Sequence, residues 1–302
     1  MSEVFSSIPY ESFAANLDKA VAWIGNLGVH YEKTRVGEYK RAIDILLEVY
    51  KTKDIERTRK EFVRFVTALF EANDLIAIYK GFAGKYEQEI REHIEKYVKG
   101  PADYRHEVIS ASSNLGRNIA FELLVASRIV SADVELDFSI KTDIACRFDG
   151  RSILFECKRP QSHKNLEANV KDAFKQLEKK YQNPSRTRYR GIIAVDITKL
   201  LNPDFMLYVQ PNADALNRGL SKIVDSFIQS HERIWQLHRN SKTIAIILRV
   251  GLMGINQEKN EMLTSCQQYG LTPINSSGTR NIETAKRLAF AMRNHGFGAI
   301  GN

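Results

Sequence analysis

Residues 141 to 158 read KTDIACRFDGRSILFECK and set two acids, Asp143 and Glu156, on either side of an Asp149-Gly150 pair. Asp-Gly between two strand-like runs is among the strongest short signals for a two-residue type I′ hairpin turn. With Phe148 paired to Arg151, Asp143 falls directly opposite Glu156, and the Cβ atoms of such a pair lie about 4.5 to 5.5 Å apart. Two carboxylates that close repel each other unless a cation sits between them, and oxygen ligands of this kind suit Mg²⁺ or Mn²⁺. A divalent ion there polarises a phosphate oxygen and lowers the pKa of water. Lys158, one alternation past Glu156, is placed to position or activate that water. The spacing predicts phosphodiester hydrolysis.

The hairpin needs a core behind it. Alternation puts Ile144, Cys146, Phe148, Ile153, Phe155 and Cys157 on one apolar face, and Lys141, Asp143, Ala145, Arg147, Ser152, Leu154, Glu156 and Lys158 on the other. Around the hairpin the texture alternates between helix and strand. A helix is expected over Leu115 to Val130 and strands over Phe138 to Phe148 and Ser152 to Lys158. An amphipathic helix follows over Leu166 to Gln182, then a strand over Gly191 to Ile197. Further on come a strand near Phe205 to Val209, a long helix from Ala213 to Leu237, a strand over Thr243 to Val250 and a last helix near Glu283 to Asn294. Interleaved helices and strands imply an α/β layered domain. Residues 1 to 100 look different, with helical periodicity in Phe13 to Leu27, Tyr39 to Tyr50, Phe62 to Ile78 and Tyr86 to Val98, ending at Gly100-Pro101. We read 1-100 as a helical accessory domain for oligomerisation, regulation or partner contact, and 101-302 as a second domain.

Charge separates the two halves. The chain carries a net charge of +8, yet residues 1 to 100 hold equal numbers of acidic and basic side chains, so the whole excess lies in 101-302. Lys158 to Arg190 alone holds ten basic residues against three acids. Such a surplus is the footprint of phosphate neutralisation, and its plainer alternative is a solvated helix face. Arg159, Lys171, Lys175 and Lys179 are the expected backbone contacts. Gln176 and Lys180, on the same basic helix, read as solvent-facing or phosphate-contacting, and His163 as a loop histidine close to the motif.

The residues quoted resemble the PD-(D/E)xK, or restriction-endonuclease-like, nucleases. The match rests on Asp143 in KTDIAC, Glu156-Cys157-Lys158 in ILFECKRP, Glu122 in the preceding helix GRNIAFELLVASRIV, and Gln176 in the following helix NVKDAFKQLEKKYQ. It spans roughly Leu115 to Ile197. The resemblance implies an α/β/α core with a mixed central sheet. It also implies that Asp143, Glu156 and the backbone carbonyl of Cys157 hold Mg²⁺ or Mn²⁺, that Lys158 serves the attacking water, and that Glu122 adds an outer metal or water contact. The expected activity is that of a metal-dependent endonuclease on nucleic acid, DNA ahead of RNA. Two departures stand out: Thr142 precedes Asp143 where the family often has proline, and Tyr181 follows Gln176 by five residues instead of four.

Two other classes remain open at this level: a nucleic-acid-binding module that keeps the fold without cutting, and a protein-interaction subunit with a solvated basic face. On those readings Asp143 and Glu156 are strand carboxylates salt-bridged to Lys141 and Lys158. No GxxxxGK[ST] loop, GxSxG elbow, HExxH helix or GxGxxG after a strand occurs. Three cysteines without CxxC spacing suggest neither a disulfide framework nor a thiolate zinc site. With no long apolar span and no signal-like start, a cytoplasmic protein without membrane contact is expected, dimerising through its amino-terminal helices if at all.

Overall fold

The computed structural model describes residues 10–107, 111–182, 187–204, 207–237, 241–256, 264–274 and 277–294. Four helices open the chain: α1 (Tyr10–Asn26), α2 (Arg35–Thr52), α3 (Ile55–Phe82) and α4 (Glu87–Tyr97). Side-chain caps start two of them, Thr34 accepting from the Val36 N–H and Asp54 from the Arg57 N–H, which satisfies donors that a first helical turn leaves open. Then follow α5 (Ala111–Ser131), β1 (Glu135–Leu136), β2 (Ile144–Phe148), β3 (Arg151–Lys158), α6 (His163–Tyr181) and β4 (Tyr189–Asp196). The remainder comprises α7 (Thr198–Leu201), β5 (Tyr208–Gln210), α8 (Ala213–Ser230), α9 (Glu232–Trp235), β6 (Thr243–Asn256), β7 (Thr264–Pro273) and α10 (Thr279–Asn294).

The sheet is mixed, in the order β1-β2-β3-β4-β6, with β7 antiparallel to β6 and β5 paired to its last three residues. The β1-β2 and β2-β3 pairs are antiparallel; β3-β4 and β4-β6 are parallel. Helices cover both faces. On one, Ile144, Cys146, Ile153, Phe155 and Ile192 pack into a core shared with α1 to α5 and α10. On the other, Ala145, Leu154, Ile193, Val195 and Leu248 pack under α6 to α9. The protein is thus a mixed α/β structure with a helical amino-terminal region. Its first core crosses residue 100 without a break, because α3 and α4 pack on α5, α3 reaches β6 and β7, and α1 and α2 pack on α3. At the tightest point α3 and α5 meet at Gly81, where a Cβ would lie 2.6 Å from that of Ser127.

Several elements differ from the sequence reading. The strand expected from Phe138 is confined to Ile144–Phe148, since Asp137 accepts from both the backbone N–H and the hydroxyl of Ser139 and turns the chain there. The long helix breaks at His231, whose N–H and ring close onto the Phe227 carbonyl, so α8 and α9 are separate. β6 runs six residues further than Val250, and β7 was not anticipated. Phe205, part of an expected strand, lies outside the described residues. No helix among the described residues is long and apolar enough to cross a membrane.

Candidate active site

The site is built at the carboxyl end of β3 and starts from the turn. Asp149 (φ 55°) and Gly150 (φ 68°) both occupy the left-handed region, as a type I′ turn demands. The register runs from Phe148↔Arg151 to Ile144↔Phe155, the pairing expected from Asp-Gly. Asp143 stands one residue beyond the ladder, at the position facing Glu156. There it takes part through its side chain: Oδ2 accepts the Cys157 N–H at 2.7 Å. The aspartate is therefore fixed to the strand that carries Glu156.

Glu156 is 2% exposed. Its Oε1 accepts from Thr142 Oγ1 at 3.1 Å and from Lys180 Nζ, and Lys158 Nζ lies 3.7 Å from Oε2. Lys158 in turn donates to Gln176 Oε1 at 2.6 Å. Helical spacing explains the pair on α6, since Gln176 and Lys180 are four residues apart and share one side of the helix. Thr142 also donates to the Phe155 carbonyl at 3.0 Å, so the residue before Asp143 braces the loop against β3.

Glu122 approaches from α5, on the opposite side of the sheet from α6. Burial, and then the charge of Asp143, push its carboxyl up to about 8, so at neutral pH it is largely protonated. Asp143 is raised too, by burial first and by Glu156 second, against the opposing Cys157 hydrogen bond. Burial and the neighbouring carboxylates hold the Cys157 thiol well above its ordinary range. Its sulfur is thereby kept protonated and inert, and what Cys157 offers the site is its main chain.

Among the described residues no three His, Cys, Asp or Glu side chains converge into a metal-ligating group. Asp143 and Glu156 still form a pair of hard oxygen donors, and Mg²⁺ characteristically takes one or two carboxylates and keeps several waters. Burial first, and the neighbouring carboxylates second, raise Asp143 and Glu122, and a nearby divalent cation would oppose both. Hard oxygen donors of this kind are compatible with such an ion, which Asp143 and Glu156 would hold.

The other expected residues divide. Arg159 turns inward: its guanidinium pairs with both Glu107 oxygens, Nη2 at 2.9 Å, and lies 3.9 Å from Asp196, with the side chain 5% exposed. The cause is a buried acid supplied fifty-two residues earlier in the chain. Lys171, Lys175 and Lys179 follow helical spacing along α6 and reach solvent, Lys171 pairing with Glu167 at 2.6 Å. Lys180, expected at the surface or on phosphate, instead contacts Glu156. Its only signal in the sequence was its place four residues after Gln176. His163 stacks on His231, with centroids 6.0 Å apart, and makes a tilted contact with Phe227 at 6.1 Å.

No protein-family model, no curated protein and no solved structure matches this chain.

Proposed function

We propose that this protein is a metal-dependent nuclease with a restriction-endonuclease-like core, cleaving nucleic-acid phosphodiesters, DNA in preference to RNA. The observation that carries the reading is the joining of Asp143 to the Glu156-Cys157-Lys158 strand by the 2.7 Å bond from the Cys157 N–H, which sets two carboxylates and a lysine in one place. The order α5, β2-β3 hairpin, α6, β4 supports the fold assignment, and the surplus of positive charge in 101-302 supports a polyanionic substrate.

When bound, Mg²⁺ or Mn²⁺ supplies Lewis-acid polarisation of the phosphate and a low-pKa water. The chain's own groups do the rest. Gln176 anchors the Lys158 ammonium by one of its three donors and leaves others to orient the attacking water. Glu122, raised by burial and by Asp143 when no cation is near, adds a carboxyl at the edge of the site for an outer metal or water contact. Lys171, Lys175 and Lys179 line the solvent side of α6, where they contact phosphates and read charge but not sequence. The free, buried Cys146 and Cys157 suit a reducing compartment such as the cytoplasm.

The test incubates full-length protein with supercoiled, linear and single-stranded DNA and with RNA, in Mg²⁺, Mn²⁺ or EDTA. Metal-dependent cleavage is expected, with Lys158→Ala and Asp143→Ala each losing at least about a hundredfold in rate. Absence of cleavage by the wild type in every condition would sink the reading.

A further inference from the structure

Beside the carboxylates lies a cavity of about 200 Å³ that borrows Glu122 and Asp143 for part of its wall. The rest is mostly apolar, with Phe82, Ile90, Leu123, Ala126, Leu136 and Ile144 among the lining side chains. Phe138 also lines it, is 45% exposed, and forms a tilted pair with Tyr86 at 5.3 Å. A large aromatic left that open beside a cleft offers a stacking surface. His93 lies on the α4 side of the cavity. Burial pulls the imidazole below its ordinary pKa, so at neutral pH the ring is uncharged and its tautomers can either donate or accept.

We infer that this cavity receives a single unpaired nucleobase of the substrate strand, stacked on Phe138 and hydrogen-bonded by His93, while the adjoining phosphate lies at Asp143 and Glu156. The inference rests on the nuclease reading and narrows it. Two walls are shared with the carboxylates, so an occupant is within one nucleotide of the reacting phosphate. Apolar side chains on one part of the wall and His93, Glu122, Thr142 and Asp143 on another suit a flat heterocycle with polar edges. The space admits one ring system and not a base pair, so a paired base must first leave its stack, at a cost of about a few kcal/mol. Single-stranded, frayed or mismatched nucleic acid is therefore the favoured substrate class, and exposed Lys141, at the cavity wall, is placed for a flanking phosphate.

The experiment binds full-length protein, in EDTA, to single-stranded oligonucleotides carrying 2-aminopurine at successive positions, and in parallel follows cleavage of single-stranded and duplex DNA in Mg²⁺. Ala126→Phe fills the cavity, and Phe138→Ala removes the stacking ring from an exposed site where folding is not at risk; circular dichroism checks both. The expected result is a fluorescence change confined to one position, lost in both variants. Phe138→Ala should weaken single-strand binding by about 5- to 150-fold, and wild-type cleavage should be faster on the single strand. A fluorescence response independent of position, or unaltered in both variants, overturns the base pocket, and Mg²⁺-dependent cleavage by the wild type would then leave the nuclease reading standing. A position-specific response in a protein that cuts nothing upholds the pocket and removes the chemistry.

Discussion

Replacing Glu122 by glutamine should change how stability depends on pH more than it changes stability itself. Burial and the Asp143 charge push the wild-type carboxyl up to about 8 in the folded protein against 4.5 for an ordinary glutamate. Between those values the folded chain keeps a proton that the unfolded chain has released. Stability from this group is therefore fully present below about pH 4.5 and is lost as pH rises through about 8. The loss is about 1.4 kcal/mol per pH unit inside that window, roughly 5 kcal/mol across all of it. Glutamine keeps the shape and a donor without titrating. Two of the pH units between pH 6 and pH 9 fall inside the window, so the variant should gain roughly 3 kcal/mol on the wild type over that interval. Urea unfolding at both pH values in EDTA measures the gap as a shift in midpoint at constant slope. Repeating it in Mg²⁺ should shrink the gap, because a nearby cation favours the charged carboxylate. A variant-minus-wild-type difference that stays constant from pH 6 to pH 9 would refute the reasoning, since a carboxyl buried beside Asp143 cannot titrate as an exposed one does.

Arg249 bonds both oxygens of Asp74, at 2.7 and 2.8 Å, and Oδ2 of Asp196 at 2.9 Å. Arg249→Met leaves buried Asp74 without its cation, while Asp196 keeps Arg159 at 3.9 Å and the Thr198 N–H; the substitution should cost about 3 to 5 kcal/mol in urea unfolding. Adding Asp74→Asn should recover part of that loss. Gly150→Ala meets no neighbouring atom within 4 Å, so its cost should be the backbone term alone, about 1 to 2 kcal/mol for a left-handed residue, seen as faster amide exchange across β2 and β3. Lys180→Ala removes an ammonium that shares Glu156 Oε1 with Thr142. It should tighten Mg²⁺ binding severalfold by calorimetry, and weaker binding would show that Lys180 assists the ion instead of competing with it.

How much of this was readable in the sequence follows from what each signal depends on. Asp149-Gly150 fixed the register because a two-residue turn leaves the strands no freedom to slip, and one pairing then placed every residue from Ile144 to Phe155. Side chains with local determinants were legible in the same way, as with the stripe Lys171, Lys175, Lys179 on α6. Arg159 and Lys180 were not, although they sit in the same basic run. Their directions depend on Glu107 and Glu156, acids brought in by other elements, and a charge run carries no record of what packs above it. β7 was missed for a related reason: TSCQQYGLTP shows little apolar alternation, and it is a strand because the whole of Ala245 to Gly254 lies beside it. The amino-terminal helices looked self-contained because an amphipathic stripe announces that it packs, not against what.

That last point has a consequence for cutting the chain at Gly100. Arg35 of α2, its side chain fully buried, donates to the Tyr97 carbonyl at 2.7 and 2.9 Å, to the Gly116 carbonyl of α5 at 3.1 Å, and to Glu71 of α3 at 3.2 Å. Arg117 of α5 meets the same Glu71 at 2.6 Å. These bonds clamp the start of α5 between α2, α3 and α4, and Glu122 sits little more than one turn further along. A fragment spanning 101-302 would lose the clamp. It would also bare the apolar face of α5 and the sheet that α3 and α4 now cover, a contiguous patch of the kind soluble monomers avoid. It should therefore aggregate or bind a hydrophobic dye, and the raised titration of Glu122 should vanish with the burial that causes it. A soluble, cooperatively unfolding 101-302 fragment that retains that titration would mean the two regions are independent and that α5 positions Glu122 without help.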